Sequence, residues 1–217
     1  MKSIPLLFLA ACASVHGAVI IGVSATASTY FAAQQDPINL VNNAGLVGAG
    51  PYDFSSQHNE DVGSTGQWHA GAGQGVGGVA PVTNDQFVTF DLDGVGTTAY
   101  DLTSIYIWQH NQPFDSFNRG VNQFDLLYSI DGGTNWLTAS SNLNLLKSTG
   151  GPNSAQQFTL SQTGVTHVRI EIDTAWSGAA NEYVGLSEVK FDGVAVPEPA
   201  SALLGAFGLL ALLRRRR

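Results

Sequence analysis

A short segment in the middle of the chain, HNQPFDSFNRG at residues 110–120, groups side chains of the kinds that bind polar, ring-shaped ligands. Aromatic rings offer flat faces for stacking, whereas imidazole, amide and guanidinium groups provide fixed hydrogen-bonding partners. This combination is typical of sugar-binding loops. We therefore predict a carbohydrate site that uses His110, Asn111, Phe117 and Arg119, with Trp68, His69 and Trp176 as further candidates from two other polar, glycine-containing stretches.

Each of these side chains also has a structural interpretation. Arg119 can pair with a nearby carboxylate and hold its loop, and a single aromatic residue is more often packed than exposed to a ligand. Trp108 and Trp136 are interpreted as core residues. The sequence leaves the choice between binding and packing open at every candidate position.

Catalysis is not indicated by any motif. His58, Glu60 and Asp61 lie close together in SQHNED, but no HxxxH or CxxC spacing of a zinc site and no GxSxG nucleophile elbow occurs. The acidic residues are scattered through apparent strands and turns, which gives no spacing support for a glycosidase pair. We predict a protein that is not an enzyme.

The amino terminus has the pattern of a secretory signal peptide. Lys2 precedes an apolar run over residues 4–13, which is too short to cross a bilayer, and small residues follow at Gly17 and Ala18. We predict residues 1–17 as the signal peptide, with cleavage after Gly17. As an alternative, the only cysteine, Cys12, ends a LAAC stretch that resembles a lipoprotein box and would then be lipidated.

The carboxyl terminus combines three features in order. Pro197, Glu198 and Pro199 are followed by an apolar stretch at 202–213 and by the basic residues Arg214, Arg215, Arg216 and Arg217. The apolar stretch lacks the polar stripe of a soluble helix, and terminal arginines beside an apolar helix favour a cytoplasmic end. This arrangement at 197–217 resembles the PEP-CTERM sorting signal of Gram-negative bacteria. The resemblance implies recognition by an exosortase-type membrane protease, a transient inner-membrane anchor, and release to the cell surface or the extracellular matrix.

The charge of the exported part is strongly negative. The whole chain has nine Lys and Arg and seventeen Asp and Glu. Removal of Lys2, the four terminal arginines and Glu198 leaves four basic and sixteen acidic residues, a net charge of −12. A body this acidic has no basic surface for nucleic acid, which excludes that class of partner.

Alternating apolar residues indicate strands throughout residues 18–196. QFVTFDL places Val88 and Phe90 on one face, and HVRIEID places Val168, Ile170 and Ile172 on one face, with polar residues between them. Clusters of Gly, Asn, Asp and Ser separate such runs. The prediction is an all-β domain, an antiparallel β-sandwich, because two packed sheets cover these apolar faces.

The order of these segments resembles the discoidin, or coagulation-factor type C, domain of the galactose-binding-like jelly rolls. The resemblance rests on ATASTYFAAQQDPINLVNNAGL from Ala25, GQWHA around Trp68, FVTFDLDG, YDLTSIYIWQHN, NRGVNQFDLLYSIDGGTNW from Asn118, and the closing VTHVRIEI and GLSEVKF. It implies a binding module for carbohydrate or another surface polymer. The chain departs from the family in having NNAG after the first Asn-Leu-Val and in lacking bracketing cysteines.

The same resemblance implies a structural calcium ion near the loops. The positions that match the family's ligands are Asp36, Asn39, Asn42 and Glu188, whose oxygens are of the type that calcium prefers. From the residues alone, Glu188 is equally interpreted as a solvated strand carboxylate, and Asn42 as a turn residue.

Two functions therefore stay open. The first is an exported module that binds carbohydrate or exopolysaccharide. The second is a non-catalytic structural component of an extracellular polymer layer or biofilm, with no defined small ligand. Exposed aromatic residues at the loops favour the first, and a flat apolar patch on a sheet face favours the second.

Overall fold

The computed structural model describes residues 17–48, 53–60, 66–70, 86–94, 96–113, 117–176, 183–197 and Arg214. Thirteen strands occur in this part of the chain: β1 (Ala18–Val19), β2 (Ser24–Ala27), β3 (Leu46–Val47), β4 (Gln57–His58), β5 (Trp68–His69), β6 (Gln86–Asp91), β7 (Tyr100–Gln109), β8 (Val121–Ser129), β9 (Leu137–Asn144), β10 (Asn153–Ser154), β11 (Gln156–Val165), β12 (His167–Ala175) and β13 (Gly185–Ala195). Two 3₁₀ helices, Ala33–Gln35 and Pro37–Leu40, follow β2.

Two antiparallel sheets form the sandwich. The first sheet has the order β1-β13-β7-β11, with β5 also paired to β13, and the second has the order β2-β6-β12-β8-β9. A small sheet, β10-β4-β3, lies beside them. The antiparallel β-sandwich predicted from the sequence is confirmed.

Alternating burial in the central strands explains the pairing register. Val88 and Phe90 of β6 and Val168, Ile170 and Ile172 of β12 are all buried. β12 pairs with β6 so that Ile170 lies opposite Val88 and Val168 opposite Phe90. A shift by one residue would turn these side chains to solvent, so the apolar pattern fixes the register.

The first sheet is covered on both faces. Along β13, Val189 and Phe191 point into the core, yet Glu188 and Lys190 on the opposite side are also buried. Residues from 41–48 and 53–60 contact this outer side, where Trp108 Nε1 donates to Ser56 O at 2.9 Å and Asn43 N donates to Glu188. The core prediction for Trp108 is confirmed, since its side chain is fully buried.

Candidate functional site

Five strand ends meet at one end of the sandwich, which we call the loop end. β7 ends there at Gln109 and β13 begins there at Gly185, since Leu186 is paired with Gln109. β5 ends there beside β13, and β8 begins there opposite the last residue of β12. Gly120 and Gly185 form a parallel bridge that joins the two sheets. The candidates His69, His110, Asn111, Arg119 and Trp176 therefore lie at the same end of the fold.

Glycine at position 185 is required by close packing. A Cβ atom there would lie 2.4 Å from the Trp68 carbonyl oxygen and 2.7 Å from atoms of both His69 and His110. Distances this short are incompatible with any side chain. The absence of a side chain at Gly185 allows the two histidines to approach the strand.

An aromatic cluster occupies this end. The rings of Phe31 and His69 are stacked at 5.7 Å, and Tyr183 meets Phe31 edge-on at 5.3 Å. His69 also packs edge-on against His110 at 5.7 Å. The guanidinium carbon of Arg119 lies 4.5 Å from the centre of the Tyr183 ring, a cation–π contact.

Exposure within this cluster decreases from Phe31 inwards. The Phe31 side chain is 49% exposed, Tyr183 and Arg119 are half-buried, and His69 and His110 are buried. Tyr30, also 49% exposed, precedes Phe31 in the chain. The end of the sandwich thus presents aromatic surface, with a guanidinium group beside it and two imidazoles beneath it.

His110 is held in its neutral form. Its side chain is fully buried, and among the described residues neither ring nitrogen has a hydrogen-bond partner. Burial lowers the pKa of His110 well below its usual value, and nearby His69, Arg119 and His58 lower this pKa further. An uncharged imidazole keeps one donor and one acceptor nitrogen. Because the ring is fully buried, a ligand role for His110 stays a prediction.

Asn111 and Gln109 stabilise the chain next to the aromatic cluster through side-chain hydrogen bonds. The Asn111 amide donates to the carbonyls of His58 and Gly151 at 3.0 and 2.8 Å, and its oxygen accepts from Ser148 at 2.6 Å. The Gln109 amide donates to Val121 O and accepts from Val121 N, which ties the first sheet to the second. Asn111 is fully buried, so its observed hydrogen bonds are structural.

The other three ligand candidates, Trp68, Phe117 and Trp176, differ in how far their side chains are exposed. Trp68 is fully buried and donates to Thr29 O at 3.0 Å, so its ring has no exposed face for stacking. Phe117 is half-buried in a left-handed backbone conformation with φ of 62°. Trp176 is 38% exposed, and its Nε1 donates to Leu145 O at 3.0 Å. A ligand role for these three residues stays a prediction.

Sequence reasoning missed the most exposed rings of the cluster. Tyr30 and Phe31 occur in an early stretch that contributes a short strand and 3₁₀ helices, and Tyr183 follows a glycine- and alanine-containing stretch. Phe31 reaches His69 because its backbone N–H donates to the His69 carbonyl at 3.1 Å. No local pattern in the sequence marks that contact.

The predicted calcium ligands form a connected network with one open acceptor. Asp36 caps the second 3₁₀ helix by accepting from Ile38 N. Asn39 donates to Gln34 O and Gln67 O, and its oxygen accepts from Asn42 at 3.1 Å. Glu188 Oε1 accepts from Asn43 N at 3.4 Å, whereas Glu188 Oε2 has no hydrogen-bond partner among the described residues.

Glu188 is an unusual carboxyl group. Its side chain is fully buried, and desolvation raises its pKa to about 9, with Lys190 and the Asn43 N–H opposing that shift. It lines a cavity of about 170 Å³ together with Val41, Asn43 and Lys190. The described residues contain no group of three or more His, Cys, Asp or Glu side chains placed to hold a metal ion. A calcium site here would therefore depend on amide and backbone oxygens in addition to Glu188.

The sorting segment is described only in part. Pro197 is exposed after β13, and Arg214 is exposed, whereas Glu198, Pro199, the apolar stretch 202–213 and Arg215–Arg217 lie outside the described residues. In the part of the chain that is described, no helix is both long and apolar enough to span a membrane. The signal peptide predicted at 1–17 lies outside the described residues except for Gly17.

The fold matches solved structures of one class. An F5/8 type C domain from a Bacteroides fragilis protein matches with a TM-score of 0.50 at 14% sequence identity, covering 82% of this chain and 96% of that domain. The family 32 carbohydrate-binding module of Clostridium perfringens NanJ, solved in complex with galactose, matches with a TM-score of 0.52 at 9% identity, covering 81% of this chain and 98% of the module. At these identities the similarity shows the fold, which is the discoidin-like β-sandwich.

The terminal segment matches a family of its own. Residues 195–217 match the PEP-CTERM protein-sorting motif, which confirms the resemblance read from the sequence. No curated protein is significantly similar to the chain. The chain thus carries a PEP-CTERM motif after a discoidin-like domain.

Proposed function

We propose that this protein is an exported carbohydrate-binding protein whose sugar site is at the loop end. The observation that carries the proposal is the half-exposed Phe31 ring stacked on His69, with Arg119 lying against Tyr183 in the same cluster. An aromatic face can stack on the apolar face of a sugar ring, and the guanidinium group can bind its hydroxyls.

Neutral hexoses are the first ligands to test. The exported part has a net charge of −12, which disfavours strongly acidic glycans through long-range repulsion. The NanJ module of the same fold was solved with galactose, which makes galactose-containing glycans a rational starting point.

Calcium would stabilise this domain from the Glu188 side. Glu188 Oε2 has no hydrogen-bond partner among the described residues, and a calcium ion that replaced the carboxyl proton would offset the cost of burying the charged form. Asn39 and Asn42 lie in the segment that contacts Glu188 through Asn43, and Asp36 caps the 3₁₀ helix that contains Asn39. We assign calcium a structural role, because Glu188 belongs to a different cavity from the aromatic cluster.

The PEP-CTERM motif supports export and sorting. We assign residues 197–217 to recognition by an exosortase-type protease, with the 202–213 stretch as a transient inner-membrane anchor. The released domain would then act at the cell surface or in the extracellular matrix.

A glycan array with the full chain, purified in a detergent without a sugar headgroup, tests the binding proposal. We expect binding to galactose-containing glycans that Phe31→Ala and Arg119→Ala each weaken about tenfold, as expected for anchor residues at a binding surface. Ile21→Ala is the matched control, since Ile21 is 62% exposed and follows β1, which pairs with the part of β13 far from the loop end. A folded protein that binds no glycan would overturn the proposal and favour the structural role in a polymer layer.

A further inference from the structure

A second depression lies on the outer face of the other sheet, away from the loop end. It has a volume of about 360 Å³ and is lined by residues of β2, β6 and β12 and by the turn between β8 and β9. Arg169 lies near the start of β12, whereas the loop end begins after Ala175, so the two regions are about 20 Å apart along the strand. We call this depression the face groove.

Arg169 is stacked between two aromatic rings in the face groove. Its guanidinium carbon lies 4.4 Å from the centre of the Phe87 ring and 4.1 Å from the centre of the Trp136 ring. Its Nε donates to the Thr89 hydroxyl at 3.1 Å. The ring stacking and the hydrogen bond hold Arg169 in one orientation, so little side-chain entropy remains to be lost when a ligand binds.

Trp136 belongs to this surface and not to the core. The sequence analysis interpreted it as a core residue, but the structure places it half-buried on the outer face of the sheet, and that interpretation was wrong. It is held there by the turn at residues 129–136. Trp136 therefore presents part of its indole to the face groove, where it lies against the guanidinium group of Arg169.

The turn itself is rigid because Asp131 organises it. The Asp131 carboxylate accepts from the backbone N–H and the side-chain amide of Asn135 and from the Ser129 hydroxyl. These hydrogen bonds lower the pKa of Asp131 to about 2. Gly133 N also donates to Ser129 Oγ at 3.0 Å. The ring of Trp136 is therefore presented by a turn that is ordered before any ligand arrives.

Hydrogen-bond donors and acceptors line the rest of the groove. Asp91 and His167 face each other with Oδ2 and Nε2 3.9 Å apart, which is too long for a direct hydrogen bond. Both side chains are partly exposed, at 30% and 20%. A ligand hydroxyl placed between them can donate to the carboxylate and accept from the imidazole. The hydroxyls of Ser24, Thr26 and Thr89 add further partners of either kind.

The charges of the groove favour a neutral ligand. Arg169 Nη1 lies 3.6 Å from Glu171 Oε1, and the Asp91 side chain lines the same groove. An anionic ligand would therefore be repelled by two carboxylates. A cation would meet the fixed guanidinium group. A flat ligand with many hydroxyls and no charge satisfies the aromatic ring, the donors and the acceptors together.

We propose that the face groove is a second carbohydrate site that binds a neutral hexose unit of a polysaccharide, with the indole of Trp136 as its apolar contact and Arg169, Asp91 and His167 as hydroxyl partners. This site does not depend on the loop end. A chain with two separate sites can hold two polysaccharide strands, or two positions on one strand.

The test uses the full chain in a detergent without a sugar headgroup, with a soluble neutral galactan and with polygalacturonate as its acidic counterpart. Trp68 and Trp108 are fully buried, so in a Trp176→Phe background the fluorescence that acrylamide can quench comes mainly from Trp136. We expect galactan to protect this fluorescence, and polygalacturonate to leave it unchanged. Protection by polygalacturonate alone would overturn the proposed ligand class.

Two variants separate this site from the loop end. Trp136→Ala should weaken galactan binding by the face groove about tenfold. Gly133→Asn adds a side chain to the groove and removes none of the proposed ligand contacts. Asparagine tolerates the Gly133 φ of 78°, and a Cβ atom there would be in ordinary van der Waals contact with His167 and Trp136. Gly133→Asn should therefore also weaken galactan binding by the face groove. Galactan affinity that both variants leave unchanged would overturn the face groove as a site.

Arg119→Ala provides the complementary measurement. Loss of glycan binding on Arg119→Ala with no effect of Trp136→Ala would support the loop-end site and overturn the face groove. The opposite pattern would support the face groove and overturn the proposed loop-end function. The failure of one proposal is therefore distinguishable from the failure of the other.

Discussion

The buried carboxyl group of Glu188 accepts a hydrogen bond from the backbone N–H of Asn43, a residue 145 positions earlier in the chain. This contact ties the last strand of the first sheet to the segment that follows the 3₁₀ helices. It leaves Oε2 of the same carboxyl group without a described partner and facing a cavity. The stability of the domain should therefore depend on the protonation of Glu188 and on any cation that replaces the proton.

In the presence of a chelator, Glu188→Gln should become more stable relative to the wild type as the pH rises. The folded pKa is about 9 and the ordinary value is 4.5, so between these values the folded protein keeps a proton that the unfolded chain releases. The wild-type free energy of unfolding then falls with rising pH, by up to about 1.4 kcal/mol per pH unit. Urea unfolding at pH 5 and pH 8 measures this difference.

Calcium should stabilise the wild type and not Glu188→Gln. The matched control is Glu171→Gln, on the outer face of the other sheet, which should keep the full calcium response. Equal stabilisation of the wild type and Glu188→Gln by calcium would place the ion elsewhere.

His110→Phe should remove part of the acid sensitivity of the fold. The pKa of His110 is depressed in the folded protein, so the unfolded chain binds the additional proton, and stability is lost as the pH falls below the ordinary histidine value of about 6.5. The wild type should lose up to about 1.4 kcal/mol per pH unit there relative to the variant. Denaturant unfolding of both proteins from pH 7.5 to 5 shows it, and parallel curves would contradict the assignment.

Gln109→Leu should destabilise the domain by about 2 to 4 kcal/mol, because buried backbone groups lose their partners. The Gln109 amide donates to the carbonyls of Val121 and Leu146 and accepts from the N–H groups of His110 and Val121. Gln57→Leu is the matched control, an exposed glutamine whose side-chain nitrogen lies 3.4 Å from the hydroxyl of exposed Ser154, and its loss should change stability by less than about 0.5 kcal/mol. Equal urea midpoints for the two variants would rule out a structural role of Gln109 at the loop end.

Replacement of Pro197, Glu198 and Pro199 by alanine should keep the chain in the inner membrane. The triplet follows the exposed end of β13 in the chain and belongs to the matched sorting motif, so we expect its loss to prevent processing by the membrane protease. Fractionation with intact-mass measurement should show an unprocessed carboxyl terminus in the membrane, whereas the Ser201→Ala control should be processed normally. Normal processing of the triple variant would show that the triplet is not required for sorting.

Sequence periodicity identified the strands that form the centre of the second sheet. Val88 and Phe90, and Val168 and Ile170, alternate with polar residues because one side of each strand faces the core, and that pattern is visible in neighbouring positions. The terminal motif could also be identified from the sequence, since its parts are adjacent in the chain. Neither inference needed knowledge of which segments pair.

The site residues could not be derived in the same way. Whether Trp68, His69 and His110 are buried depends on segments far away in the chain, such as the one that places Phe31 on His69. Trp136 occurs after a turn that orients it over Arg169, a residue of another strand. Burial of an aromatic or a titratable side chain is decided by what packs across it.

The sequence by itself therefore determined the class of fold and the sorting segment, because both are encoded in local spacing and composition. Only the tertiary structure decided which rings are exposed at the loop end, that His110 and Glu188 are uncharged, and that a polar groove surrounds Arg169. These properties arise from desolvation and from contacts between strands, which depend on distances in space and not along the chain.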